Sequence, residues 1–123
     1  MNITSMRDNN QILIITKAFA LRIIRLYMYL KNERKEHVMS KQLLRCGTSI
    51  GANSRESVNA QSKADFVNKM NIALKEADET QYWLELLHES GFLTEEQFQS
   101  IYDDSSRIVG TLTKIIKTSK END

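Results

Sequence analysis

Apolar residues return every third or fourth position along the first part of the chain, at Ile12, Ile15, Phe19, Ile23, Leu26 and Leu30. That spacing keeps them on one face of an α-helix and predicts a helix over about 10–32. Ile14, Leu21, Ile24 and Met28 fall beside this series and are read as widening the same stripe. The run NERKEH, Asn32 to His37, holds no apolar residue and is expected to lead into a second helix over about 36–59. On that helix Met39, Leu43, Cys46 or Gly47, Ile50 and Ser54 share a face.

Ser62 followed by Asp65 resembles a capping box, the serine covering a free backbone N–H and the acid sitting in the positive first turn. A third helix is therefore predicted over 63–90, with Phe66, Met70, Ala73, Ala77, Leu84 and Leu87 inward and Ser90-Gly91 at its end. Thr94 and Gln97 repeat the capping pattern and open a fourth helix over 95–119, along which Phe98, Ile101, Ser105, Ile108, Leu112 and Ile115 recur. Only the final SKEND is expected to be a solvated tail.

Four helices joined by short connections must run antiparallel to their neighbours. The expected fold is all-α, an antiparallel up-down-up-down four-helix bundle occupying residues 1–123 as one domain. Composition agrees, since the 123 residues include no proline and only 4 glycines, too few breakers for a strand-and-turn protein. A hydrophobic fraction of 41% with 27% charged residues suits a globular chain and excludes a disordered one.

The net charge of +1 hides an asymmetry. Residues 1–62 hold ten Lys/Arg against four Asp/Glu, whereas residues 63–123 hold seven against twelve. Pairing between helices or subunits accounts for this most simply, and a basic face left for nucleic acid is the sharper alternative. The lone Cys46 has no disulfide partner, and no signal peptide or membrane-length apolar run is present, so cytoplasmic residence is expected, with no membrane partner.

Candidate chemistry is sparse. The stretch TSIGANSRE, Thr48 to Glu56, follows directly on Gly47 and contains Gly51, two glycines four residues apart on one helical face, each costing about 1 kcal/mol relative to alanine. That cost implies a close helix approach, inside the monomer or at a subunit interface. Asn53, Arg55 and Glu56 are read as a register-setting polar layer. Glu85 and His88 form the Glu-x-x-His of di-iron bundles, but His37, the other histidine, has Arg34 where an acid would be needed. No metal or other cofactor is expected. Cys46 is read as a small buried hydrophobe, and Tyr82-Trp83 as packing or interface aromatics.

The run QLLRCGTSIGANSRES, Gln42 to Ser57, followed by AQSKADFVNKMNIALKEADETQYWLELL, Ala60 to Leu87, resembles the four-helix-bundle proteins encoded in intervening sequences of bacterial 23S ribosomal RNA genes. Its core maps onto Gln42, Leu43 and Arg45, then Ser49, Ile50, Asn53 and Glu56. The superfamily includes the accessory variability determinant of diversity-generating retroelements, which binds nucleic acid and a reverse transcriptase through a strongly basic surface. The resemblance implies a homopentamer of bundles without established catalytic activity. This chain departs from the basic relative, with a sequence pI near 7.8.

The reading is thus a non-enzymatic, homo-oligomeric binding or scaffolding bundle, with itself as partner and RNA or DNA as the candidate ligand. The alternatives are a protein-protein module without nucleic acid, or a metal-binding bundle. Lys17, Arg22, Arg25, Lys41, Arg45 and Arg55 are the candidate nucleic-acid contacts. Gly47, Ile50, Gly51, Asn53, Glu56, Tyr82 and Trp83 are the candidate structural or interface residues.

Overall fold

The computed structural model describes residues 3–121, with side chains from residue 8 onward. Four helices run α1 Ile3–Asn32, α2 Met39–Val58, α3 Lys63–Glu89 and α4 Glu95–Glu121, with no strand among the described residues. Each packs on two neighbours: α1 on α2 and α4, α3 on α2 and α4. Short connections and this square of contacts give the up-down-up-down bundle, with α1 and α3 at opposite corners. No described helix is long and apolar enough to cross a membrane.

The core is the set that the three-and-four spacing selects. Ile12, Phe19, Ile23 and Leu30 from α1 meet Leu43 and Ile50, Met70, Leu84 and Leu87, and Ile108 and Leu112, all essentially inaccessible. Small residues let the helices approach one another: a Cβ on Gly47 would stand 2.8 Å from Ile23 Cγ1 and 2.9 Å from Ile23 Cγ2. At Gly51 it would stand 3.3 Å from the Thr16 hydroxyl. Both glycines therefore face α1 of their own chain.

The ends depart from the sequence reading in instructive ways. α1 begins at Ile3 rather than near Asn10, since no proline or glycine interrupts the segment before the apolar series starts. α4 continues through Ser119, Lys120 and Glu121, so these residues of the expected tail are helical, while Asn122 and Asp123 lie outside the described residues. α2 starts at Met39, not Glu36.

Glu36 lies before α2 and caps it. Its carboxylate accepts N–H bonds from Val38 at 3.0 Å, Met39 at 3.0 Å and Ser40 at 2.7 Å, three of the donors a helix start leaves without partners. Lys35, in the left-handed region at φ 57°, turns the chain so that the Glu36 N–H reaches back to the Leu30 carbonyl. Burial alone would push the Glu36 carboxyl up, but the backbone N–H groups outweigh it and hold the pKa below the ordinary value.

The other signals hold. Ser62 Oγ accepts the Asp65 N–H at 3.0 Å, and Thr94 and Gln97 bond reciprocally at 2.9 and 3.1 Å. Gly91, at φ 87°, donates to the His88 carbonyl while Phe92 N–H returns to Leu87, the paired bonds of a Schellman end.

The expected polar layer does not form. Arg55 and Glu56 are exposed, and Asn53, half-buried, donates to Ser49 O on its own helix at 2.9 Å. Apart from Glu36, the buried polar side chains are hydroxyls. Thr16, Ser54, Thr80 and Ser105 each donate to a carbonyl three or four residues back, at 2.6 to 2.8 Å. These bonds stay within one helix and satisfy the groups without fixing register, but Ser105 Oγ also accepts from Gln81 Nε2 at 2.9 Å, a polar link between α3 and α4.

Three stability outcomes follow. Gly47→Ala gains about 1 kcal/mol in helix propensity but drives a methyl into the branched part of Ile23, where overpacking costs about 1–3 kcal/mol. A net loss is expected in chemical denaturation. Gly110→Ala, with nothing within 4 Å of its Cβ, should gain up to about 1 kcal/mol. For Glu36, the depressed folded pKa means that its stabilisation is present above the unfolded value near 4.3 and lost as pH falls through the folded one. Glu36→Gln should lower stability at neutral pH by about 1 kcal/mol and flatten the acid limb of the stability–pH curve.

Candidate functional site

The six candidate basic side chains divide into two groups. Arg22 on α1 donates to Asp104 of α4 at 2.6 Å and to the Ser100 hydroxyl at 3.0 Å. Arg45 on α2 donates to Glu76 of α3 at 3.2 Å and also to Glu79. Glu79 in turn accepts the Trp83 indole N–H at 3.1 Å, and the Arg45 bond holds the Glu79 carboxyl below its usual range. These two arginines tie neighbouring helices together within the chain, as the simpler explanation of the charge asymmetry expects.

Lys17, Arg25, Lys41 and Arg55 have no ion pair or hydrogen bond to another side chain among the described residues. Lys17 and Arg55 stand on either side of a groove of about 560 Å³ along the α1–α2 seam. Gly51, Ala20 and Ala52 line it, so the groove exists because the residues there are small. Glu56 also lines it and points its charge at Lys69 of α3, 3.9 Å away. A second hollow of about 540 Å³ opens where α1 begins and α4 ends; Asp8, on its wall, pairs with Lys114 at 3.4 Å.

The candidate interface residues also separate. Gly47 and Ile50 are buried inside the bundle. Trp83 is half-buried against the core, edge-on to Tyr82 at 5.4 Å, and Tyr82 itself projects outward, 54% exposed.

The largest departure is on α1. Ile14, Leu21, Ile24 and Met28 do not widen the buried stripe; they lie on the side of α1 turned away from the bundle, exposed by 64%, 47%, 39% and 53%. At 100° per residue, Ile14, Leu21 and Met28 form a line one heptad apart, opposite the Ile12–Phe19–Ile23–Leu30 line. Their seven-residue spacing on a second phase was visible in the sequence. The three-and-four series is the phase that faces in, and a second apolar phase beside it carries no local sign that it stays exposed.

The two residues of the Glu-x-x-His motif have other partners. Glu85 accepts the Tyr102 hydroxyl at 2.9 Å, while His88 Nε2 lies 2.8 Å from Glu95 with its ring stacked on Phe98 at 4.3 Å. Among the described residues no three His, Cys, Asp or Glu side chains are close enough to hold a metal ion. Cys46 is fully buried, donates to Leu43 O at 3.6 Å, and burial pushes its thiol pKa up, the opposite of an activated nucleophile.

Fold and surfaces define the class, an all-α four-helix bundle whose distinctive features lie on its outer faces. The chain belongs to the 23S rRNA-intervening sequence protein family, whose family model matches residues 8–114. It is similar to a protein of unknown function from the S23 ribosomal protein family of Bacteroides thetaiotaomicron VPI-5482, solved by crystallography. The two are 57% identical, the match covers 89% of this chain and 98% of that one, and the TM-score is 0.89. No curated protein matches. No enzymatic family is indicated by these matches.

Proposed function

We propose that the protein is a non-enzymatic scaffold that assembles with copies of itself, the outer face of α1 being the surface through which it does so. The observation that carries this is the line of Ile14, Leu21 and Met28, with Ile24 beside it, on a helix whose opposite face already fills the core. A line of large exposed apolar side chains on one helix face suits an interaction surface. Fully burying one such side chain is worth about 1.5–3 kcal/mol, and these start about half exposed, so the line supplies only a few kcal/mol. Association costs roughly 4–15 kcal/mol, so further contacts must join the stripe. The pentamer implied by the family resemblance is the assembly this reading favours. Light scattering tests it: the wild-type mass should be a multiple of 14.2 kDa, five-fold for a pentamer. Leu21→Glu with Met28→Glu should give the monomer mass with helical circular dichroism unchanged. A wild-type monomer, or a double variant of unchanged mass, rejects the proposal.

A second reading, nucleic-acid association, is favoured by the unpaired Lys17 and Arg55 flanking the α1–α2 groove, with Lys41 further along α2. Cations without protein partners are free to neutralise phosphates. In anisotropy titrations against structured RNA and duplex DNA, affinity should fall steeply with salt. Lys17→Glu with Arg55→Glu should weaken binding and reduce the log–log salt slope by about 1.4–1.8 for two lost phosphate contacts. Arg22→Glu and Arg45→Glu, at positions committed to Asp104 and Glu79, should matter less. Absence of binding to either nucleic acid, or a slope unaffected by the groove variants, discards this reading.

A further inference from the structure

A self-associating stripe on α1 has two possible mates on a second copy, another stripe or a different face. Stripe against stripe is poorly matched electrostatically. An antiparallel two-fold pairing centred on Leu21 sets Lys17 of one copy beside Arg25 of the other, and a parallel one sets each cation beside its own counterpart. Neither side chain has an acidic partner within its own chain among the described residues to blunt that repulsion. Like charges brought together at an interface oppose association.

The diagonal corner of the bundle offers the opposite chemistry. The outward face of α3 carries Tyr82, the one large apolar side chain on that helix that is mostly exposed. Asp78 lies one turn before it and Glu89 two turns after, both exposed and both without an ion-pair partner among the described residues. Lys75 shares the line, so the acidic character is concentrated toward the helix end. The wider charge distribution points the same way. The net positive first half of the sequence folds into α1 and α2 along one side, and the net negative second half into α3 and α4 along the other. Each molecule thus presents a basic, apolar-striped side and an acidic side facing in opposite directions.

Building on the self-association proposed above, we infer that the occupant of the α1 stripe is the outward face of α3 on a second copy, Tyr82 packing among Leu21, Ile24 and Met28 while Asp78 and Glu89 meet Lys17 and Arg25. The interface is then heterologous, every copy using α1 toward one neighbour and α3 toward the next. Such contacts propagate into a ring where the rotation closes and a filament where it does not. The acidic contacts supply what the stripe alone lacks, steering encounter and setting register.

A mixing experiment with full-length chains decides it. Leu21→Glu with Met28→Glu removes the donor face, and Tyr82→Arg removes the acceptor face; all three positions are solvent-exposed, so helical circular dichroism should be retained. Each variant alone should run as a monomer by size exclusion with light scattering. Mixed, they should form a 1:1 heterodimer and nothing larger, because the Tyr82→Arg copy keeps an intact stripe and the stripe variant keeps an intact α3 face. A Tyr82→Arg protein that still reaches the wild-type mass overturns the heterologous assignment while leaving self-association standing. Two monomeric variants that stay monomeric when mixed also overturn it. A wild type that is itself monomeric removes the self-association reading, and this inference with it.

Discussion

The contact on which the arrangement of this bundle depends is the seating of Ile23 against α2 at residue 47. The branched side chain of Ile23 comes within 2.8 Å of where a Cβ at residue 47 would stand, tighter than a Cβ contact allows, so glycine there lets α1 and α2 approach this closely. Gly51 continues the same close approach one turn on, against Thr16. Fixing the Ile23 face inward fixes the rest of α1 by helical geometry. Leu21 and Met28 must then face outward, and Lys17 and Arg55 must flank the shallow groove that the small residues leave. The interaction surfaces are consequences of how two helices approach.

Capping decides where each helix may begin, and it does so with unequal legibility. Ser62 with Asp65 and Thr94 with Gln97 act within four residues and follow familiar spacing. Glu36 does the same work from outside α2, across a turn that needs Lys35 in a left-handed conformation. The apolar periodicity places the helix start near Glu36, because it does not locate the left-handed turn at Lys35. Only the turn geometry reveals that its carboxylate collects three N–H groups at once.

Charge in this protein is organised at two scales. Within the chain, Arg22 with Asp104 and Arg45 with Glu76 and Glu79 join adjacent helices at partly exposed sites, where each pair adds at most about 1 kcal/mol. Across the molecule, the basic pair of helices and the acidic pair occupy opposite sides. The local pairs add little to stability but decide which cations are spoken for. The global separation gives the molecule a direction, and direction is what one copy needs to recognise the next.

Three-and-four periodicity, caps and the absence of proline are local signals, and they are enough to specify four helices, their order, the bundle they form and most of the residues in the core. The sequence also marked Gly47 and Gly51 as sites of close approach. It picked out the inward series of α1 but merged the second apolar line, Ile14, Leu21 and Met28, into the same stripe, since a second apolar face carries no local sign that it stays exposed. Nor did it separate Arg22 and Arg45 from Lys17 and Arg55, because their partners, Asp104 and Glu79, lie 82 and 34 residues away along the chain. Those choices belong to the tertiary structure: they depend on which helices become adjacent and how far each is rotated about its axis, and no local pattern encodes either.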